Sequence, residues 1–387
     1  MKINIIGNSH AAVGCIEAVR KYDKDAEITV FSDENYSVYS RPLISYLLYG
    51  KTTLEKMKYR PDSFYEENNV KLILNKHIDN VDDVKADKVL IATGSRPFLP
   101  PMNGYDTVEK KFGFMTLDDA LSLEKELSVE KDVLVIGAGL IGLKCVEGIL
   151  DKVKSVTVVD LADRILPSIL DEQGSALVKK FLEMKKVKFI LNTSVDTFNK
   201  NTATLKNGDK LNFDILVTAV GVRPNTELFS GEKNRGIVVD ALQKTSVANV
   251  YAAGDCTERD GKVLALLPNA YIGGYNAGLD MVGKSDEAKP VDYAMNAIGF
   301  FGYHIGTAGE YVGDEYIESE GMSYKKLFIE NNILKGFIII GDLSRCGIYT
   351  QLIRDKVDLS SVDFDLIKKK PQLAAFGKTY RKEVLGK

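Results

Sequence analysis

Residues 137–142 run Gly137-Ala138-Gly139-Leu140-Ile141-Gly142, a G-x-G-x-x-G pattern in which each glycine has its own task. The first permits a tight turn, the second lets the backbone approach a pyrophosphate, and the third lets the following helix pack against the strand. The pyrophosphate charge then sits at the helix N-terminus, where Leu140 and Ile141 form the first turn. Six residues of this kind are a weak signal alone. Here an apolar run, VLVI, precedes them, an amphipathic run follows, and Asp160 ends the next β-branched run, VTVVD. A carboxylate there accepts hydrogen bonds from the adenosine ribose and repels a 2′-phosphate, so NADH is expected over NADPH. Arg164 stands close enough to oppose that preference by swinging toward a phosphate.

The arrangement recurs earlier in the chain. Sliding the sequence on itself by 130 residues lays IIGNSHAAVGCIEAVR, from Ile5, over VIGAGLIGLKCVEGIL, from Val135. Gly7 then matches Gly137, Cys15 matches Cys145 and Glu17 matches Glu147, and, after a shift of two residues in the offset, ITVF from Ile28 lies over VTVV from Val156. Two similar supersecondary units are the economical explanation. The first turn, Gly7-Asn8-Ser9-His10-Ala11-Ala12, keeps only the first glycine, yet Ser9 and Ala12 are small enough for close approach. Ser32 stands where Asp160 stands, so the candidate ribose acids move to Asp33 and Glu34. His10 is read as a backbone N–H donor to phosphate rather than an acid–base group, and Cys15 and Cys145 as small apolar residues on inner helix faces.

These turns need strands and helices to carry them. Each unit reads as a short apolar strand, a small-residue turn, an amphipathic helix and a second strand, the opening βαβ of a doubly wound sheet. Between the units, VLIATG closes at Gly94 and Pro97, Pro100 and Pro101 mark an extended connection. A helix is expected near Met115–Leu127. FDILVTAVG, RGIVVD and VYAAGD follow the second unit, then a helix-like run from Asn269 through Gly283. The last hundred or so residues carry KKLFIE and ILKGFIIIGD and read as a separate α+β domain. At 387 residues, 45% hydrophobic and 27% charged, the chain has room for two or three globular domains. A net charge of −3 gives no field to hold nucleic acid or an anionic membrane. No stretch approaches membrane-span length and the N-terminal apolar run is too short for a signal peptide, which points to the cytoplasm. The four cysteines stand too far apart for the usual metal or redox pairings, so no metal is expected.

With ATG at Ala92-Thr93-Gly94, GAGLIG from Gly137 and TSVANVYAAGD from Thr245 to Asp255, the chain resembles the two-dinucleotide flavoprotein reductases, NADH:rubredoxin reductases and the flavin portion of nitrite reductase large subunits in particular. The resemblance implies an α/β fold with two Rossmann-like dinucleotide-binding domains, the FAD domain interrupted by the NAD domain, and a C-terminal α+β interface domain. The divisions implied are 1–110 and 223–290 for FAD, 111–222 for NAD and 291–387 for the interface domain. It implies FAD and NADH as cofactors, with the turn from Gly7 to Ala12 on the FAD pyrophosphate and Asp33 or Glu34 at the ribose. Arg41 falls toward the flavin end, Ile78 and Ala92, Thr93 and Gly94 line adenine and pyrophosphate, and Asp255 accepts from a ribityl hydroxyl. Gly221, closing FDILVTAVG, and Leu267, at the helix N-terminus whose dipole faces the flavin, complete the cofactor-binding set.

Two departures bear on the chemistry. The family's disulfide-using branches carry cysteines in the stretch matching Val38–Tyr49, and this chain has none there, so the flavin is expected to hand electrons directly to an acceptor. The nearest reductases also pair a lysine after the RP motif with a glutamate after G-x-G-x-x-G, beside the flavin; Tyr46 and Lys144 occupy those positions. A hydrogen bond between them would replace the ion pair, and Lys144 is expected to tune the flavin potential, the competing reading being a solvated lysine in a first helical turn. The implied activity is an NADH-dependent reductase of a small redox protein, rubredoxin or ferredoxin in type. The alternatives are a peroxide-forming NADH oxidase and a non-catalytic redox-sensing flavoprotein. Oligomeric state is left open.

Overall fold

The computed structural model describes residues 1–263, 265–291 and 294–377. The first unit forms β1 (Lys2–Ile6), α1 (His10–Tyr22) and β2 (Glu27–Phe31), with β1 and β2 parallel from Lys2↔Glu27 to Ile6↔Phe31. The short helix α2 (Ile44–Tyr49), β3 (Val70–Ile73) and β4 (Lys88–Ile91) follow. Next come β5 (Lys111–Phe112), α3 (Leu117–Glu124), and the second unit, β6 (Asp132–Ile136), α4 (Leu140–Ile149) and β7 (Ser155–Val159). The helix α5 (Glu172–Met184), β8 (Ile215–Thr218), β9 (Val250–Ala252) and α6 (Leu267–Met281) lead to the C-terminal strands β10 (Met295–Phe300), β11 (Tyr303–Gly309), β12 (Asp314–Glu320), β13 (Ser323–Glu330) and β14 (Ile333–Ile340), then α7 (Cys346–Arg354).

Two parallel sheets result. The first has the order β9-β4-β1-β2-β3 and the second contains β5-β8-β6-β7. Strands covered on both faces are apolar throughout, as in β8, where Ile215, Leu216 and Val217 are all fully buried; in β1, Ile3 and Ile5 bury one face. One face of the first sheet is covered by α1 and α6, which meet at backbone contact. A Cβ added at Gly274 would lie 1.8 Å from the Ala11 carbonyl oxygen, and one at Gly14 2.2 Å from that of Tyr271.

Two helices differ from their expected limits for local reasons. Thr116 accepts from the Asp119 amide while the Asp119 carboxylate accepts from the Met115 and Thr116 amides, a capping box that starts α3 at Leu117. Pro268 in the first turn of α6 moves its start to Leu267, and the helix stops at Met281, two residues before Gly283, which lies in left-handed backbone.

By compactness the described residues form two units, 1–159 with 194–291, and 160–193 with 294–377. The second unit is an antiparallel sheet of order β10-β11-β14-β13-β12, with Leu327, Leu334 and Phe337 packed under Tyr349 and Leu352 of α7. Residues 160–193 cluster with this sheet by compactness, and Phe181 of α5 packs at a tilt on Tyr303, ring centroids 4.6 Å apart. The expected terminal domain also includes 378–387, which lie outside the described residues. Among the described residues no helix is long and apolar enough to cross a membrane.

Candidate functional site

The two turns are alike bond for bond. Gly7 N donates to Phe31 O at 2.8 Å and Gly137 N to Val159 O at 2.9 Å; Ala92 N donates to Ile6 O and Ala219 N to Ile136 O, both at 2.7 Å. Gly7 and Gly137 have φ of +109° and +111°, and an added Cβ would lie 2.1 Å from Ala92 O in one and 2.2 Å from Ala219 O in the other. At Gly142 it would lie 2.0 Å from Gly137 O. The N-caps, Ser9 and Gly139, are extended and make no side-chain cap bond. The first-turn amides of α1 and α4 are therefore left for an anion.

Above the first turn lies a cavity of about 710 Å³, inside the range of about 300–1,000 Å³ usual for cofactor sites. Gly7, Asn8, Ser9 and Ala11 line it, as do Asp33, Glu34, Arg41, Ile78, Ala92, Thr93, Gly94, Asp255 and Leu267. Ala12 is buried in the core. The His10 ring is turned onto Tyr59, 4.0 Å away; burial, with Arg41 and Arg60 nearby, takes its pKa down to about 4, which leaves it neutral at pH 7. Among the lining residues that sequence reasoning missed are the polar side chains Lys76, His77, Asp79 and Ser95, whose positions only the folded chain reveals.

Both candidate ribose acids are engaged. Asp33 faces His77 Nδ1 at 2.9 Å from each oxygen and raises its pKa. Glu34 accepts from Arg41 Nη2 and the Tyr39 hydroxyl, each at 2.6 Å. Arg41 is on the cavity wall, tied also to the Met115 carbonyl at 3.2 Å. Burial raises the Asp255 carboxyl pKa, opposed by Arg41 and by the Ser95 hydroxyl at 3.4 Å. The chain leaves and returns beside this wall: Ser95–Pro97 pairs antiparallel with Val222–Pro224, Asn225 Nδ2 donates to Thr93 O at 2.9 Å, and Gly221 accepts from the Phe98 amide. Gly221 itself does not line the cavity.

In the second unit Asp160 follows β7 directly, and its Oδ1 accepts from the Ala162 amide at 2.7 Å. Arg164 is bonded to Asp163 at 2.9 Å, and its Nε is buried without a partner. The Lys144 and Tyr46 contact differs from the expected hydrogen bond. Lys144 Nζ sits over the Tyr46 ring, 4.3 Å from its centroid, because a close α2–α4 approach, with the Gly148 Cβ position 3.0 Å from Ser45 O, brings the ring face over the helix. Lys144 also pairs with Glu147, one turn on and 1% exposed. Burial lowers the lysine pKa and Glu147 opposes the shift. Neither Lys144 nor Tyr46 lines the cavity. Burial raises the pKa of Cys15 to about 12 and of Cys256 to about 11, so both are thiols at neutral pH, and no cysteine lines the cavity.

A glycine-turn cradle repeated on two parallel sheets, one facing a cavity wide enough for a dinucleotide, defines a two-dinucleotide oxidoreductase fold. The sequence matches the family described as pyridine nucleotide-disulphide oxidoreductase over residues 1–274, and the rubredoxin NAD+ reductase C-terminal domain over 296–357. The chain belongs to the pyridine nucleotide-disulphide oxidoreductase family, which uses FAD and NAD(H). It is 31% identical over 394 residues to the NADH-dependent phenylglyoxylate dehydrogenase subunit epsilon of Aromatoleum evansii, covering 93% of both chains. It is 30% identical to the assimilatory nitrate reductase electron transfer subunit of Bacillus subtilis (strain 168), with 88% of this chain matched to 48% of that protein, so it spans about half the relative's length. The fold is shared with putidaredoxin reductase in its covalent complex with putidaredoxin (TM-score 0.86, 20% identity, 95% and 96% coverage). It is also shared with NADH:rubredoxin oxidoreductase from Clostridium acetobutylicum (TM-score 0.75, 22% identity, 92% and 96% coverage). The cavity fits FAD by its uncapped helix, its glycine cradle and its half-buried Asp255.

Proposed function

We propose that the chain is a cytoplasmic NADH-dependent FAD oxidoreductase that passes electrons from NADH to a small redox protein of rubredoxin or ferredoxin type. The observation that carries this reading is a dinucleotide cavity without a cysteine on its wall. The names of two relatives, an NADH-dependent dehydrogenase subunit and an electron transfer subunit, support it. FAD held by the Gly7–Ala11 turn and Asp255 would supply the hydride acceptance and single-electron release that couple a two-electron donor to a one-electron acceptor.

The chain's own residues bind and orient. Gly7, Asn8, Ser9 and the backbone of His10 and Ala11 hold the FAD pyrophosphate at the α1 N-terminus; Ile78, Ala92, Thr93 and Gly94 line the adenosine end. Glu34 is bound to Arg41, which leaves Asp33, held by an exposed histidine, as the acid for the adenosine ribose. Asp255 accepts from the ribityl chain, and the α6 N-terminus at Leu267 places a positive dipole end at the flavin. Gly137, Gly139, Leu140, Ile141 and Gly142 cradle the NADH pyrophosphate, Asp160 takes its ribose, and Gly221 lets the chain re-enter the FAD segment. In this assignment 1–110 and 223–290 serve FAD, 111–222 NADH and 291–387 the acceptor interface. Lys144, on the Tyr46 ring and paired with Glu147, tunes the flavin potential.

Anaerobic titration of the flavin-loaded protein with NADH and then NADPH tests the donor side, followed by reoxidation with rubredoxin, ferredoxin and oxygen in turn. Bleaching by NADH and fast reoxidation by a one-electron protein are expected. Oxygen as the fastest oxidant, with peroxide as product, would establish the oxidase reading instead, and a flavin that NADH does not bleach would exclude both.

A further inference from the structure

Asp160 opens a turn that is closed by hydrogen bonds from Thr193 N to Asp160 O at 3.2 Å and from Asn192 N to Ala162 O at 3.0 Å. Inside this turn Ile165 and Leu166 are fully buried, and Leu166 is held at a φ of +50°, a conformation that a bulky residue keeps only when its surroundings impose it. The far end of the turn is Asp171. Its Oδ1 accepts from the Gly174 amide at 2.9 Å and caps α5. Its Oδ2 accepts from the Tyr324 hydroxyl at 2.6 Å and from Lys326 Nζ at 3.1 Å, both on β13. The Tyr311 hydroxyl, in the β11–β12 connection, donates to Ile169 O at 2.8 Å, so the C-terminal domain grips the turn at a second point.

A helix cap does not need this anchor, since Ser, Thr or Asn would cap α5 as well. The Lys326 and Asp171 side chains are 12% and 23% exposed and Lys326 also pairs with Glu315 at 2.9 Å; partial desolvation offsets much of the attraction in such a network, which is better suited to fixing geometry than to adding stability. Tyr324 is 1% exposed. Burial works against the Asp171 charge, yet the bonds from Tyr324, Gly174 and Lys326 hold its pKa below the ordinary carboxylate value.

We propose that Asp171, with Tyr324 and Lys326, is a positioning group for NADH: it anchors to the C-terminal sheet the turn that carries Asp160 and Arg164, and so sets how Asp160 meets the adenosine ribose. This rests on the assignment of Asp160 to the NADH ribose. Asp171→Asn retains the cap and loses the ionic bond, and Tyr324→Phe removes one hydroxyl. Both are made in the FAD-loaded protein beside Asp160→Ala and a control, Tyr349→Phe, which removes a bond to Ile367 O elsewhere in the same domain. Equilibrium titration with NAD+ reads the dissociation constant, rapid mixing reads flavin reduction at saturating NADH, and amide hydrogen exchange reads the 160–170 turn. Asp171→Asn and Tyr324→Phe are expected to weaken NAD+ binding by about three- to tenfold, to speed exchange at 160–170, and to leave the saturated reduction rate within about twofold, while Tyr349→Phe leaves affinity unchanged. Unchanged affinity in both variants beside a loss in Asp160→Ala overturns the inference alone, as does an equal loss in Tyr349→Phe. Unchanged affinity in Asp160→Ala overturns the ribose assignment, and the inference with it.

Discussion

A neutral imidazole packed between Tyr59 and the start of α1 links acid stability to a single residue. The folded-state pKa of His10 is about 4 against an ordinary value of 6.5, so between those values the unfolded chain binds the proton and the native one does not. Stability is therefore complete above about pH 6.5 and is lost as pH falls toward 4, by up to about 3 kcal/mol. In the flavin-free protein, His10→Gln should flatten the denaturation midpoint across that window; an unchanged slope would show that His10 titrates normally. At Lys144 the sign is set by its partner. Removing the cation in Lys144→Ala should lower the flavin midpoint by about 30 mV, the two-electron equivalent of about 1.4 kcal/mol, and Glu147→Gln should raise it. Midpoints that do not move in either variant would reduce Lys144 to a packing residue. The three-residue spacing of Lys144 and Glu147 is visible in the sequence and predicts a contact. That Glu147 is buried, and that Lys144 faces the ring of Tyr46 instead of its hydroxyl, depends on how α2 lies across α4, which no local pattern encodes. The pairing of Asp33 with His77, 44 residues away, was hidden for the same reason.

The parallel strands were legible because burial on both faces leaves an unbroken apolar run, and the two turns because they share one residue pattern at a fixed interval. Helix limits were less so, since they depend on capping bonds such as that of Thr116 and Asp119. The glycines supply a test at this scale. Gly7→Ala and Gly137→Ala place a methyl group against a backbone carbonyl in the same way, so both should lose about 1–3 kcal/mol of stability. Their binding losses should separate: Gly7→Ala reduces FAD retention, measured by flavin absorbance after desalting, and Gly137→Ala retains flavin but weakens NADH. Loss of the same cofactor in both would contradict the division of labour between the turns. Gly274→Ala pushes α6 off α1 at Ala11 O, inside the first turn, and should lower the melting temperature and FAD retention together while leaving the second turn intact.

At the scale of the molecule, residues 160–193 cluster by compactness with the C-terminal sheet. The contacts responsible join Asp171 to Tyr324 and Phe181 to Tyr303, and such long-range pairs have no signature in a single sequence. A chain truncated after residue 291 should thus keep FAD, whose cavity lies wholly within 1–159 and 194–291, and lose rapid bleaching by NADH. Retained bleaching would show that the 160–193 stretch needs no C-terminal sheet. The same arrangement sets a timetable for synthesis. Asp171 leaves the ribosome roughly 150 residues before Tyr324, a delay of about 8–30 s at ordinary elongation rates. Throughout that interval Phe181 lacks the Tyr303 ring it packs on and Asp171 lacks Tyr324 and Lys326, which makes the nascent 160–193 segment a natural client for chaperones that hold apolar chain until its partner emerges.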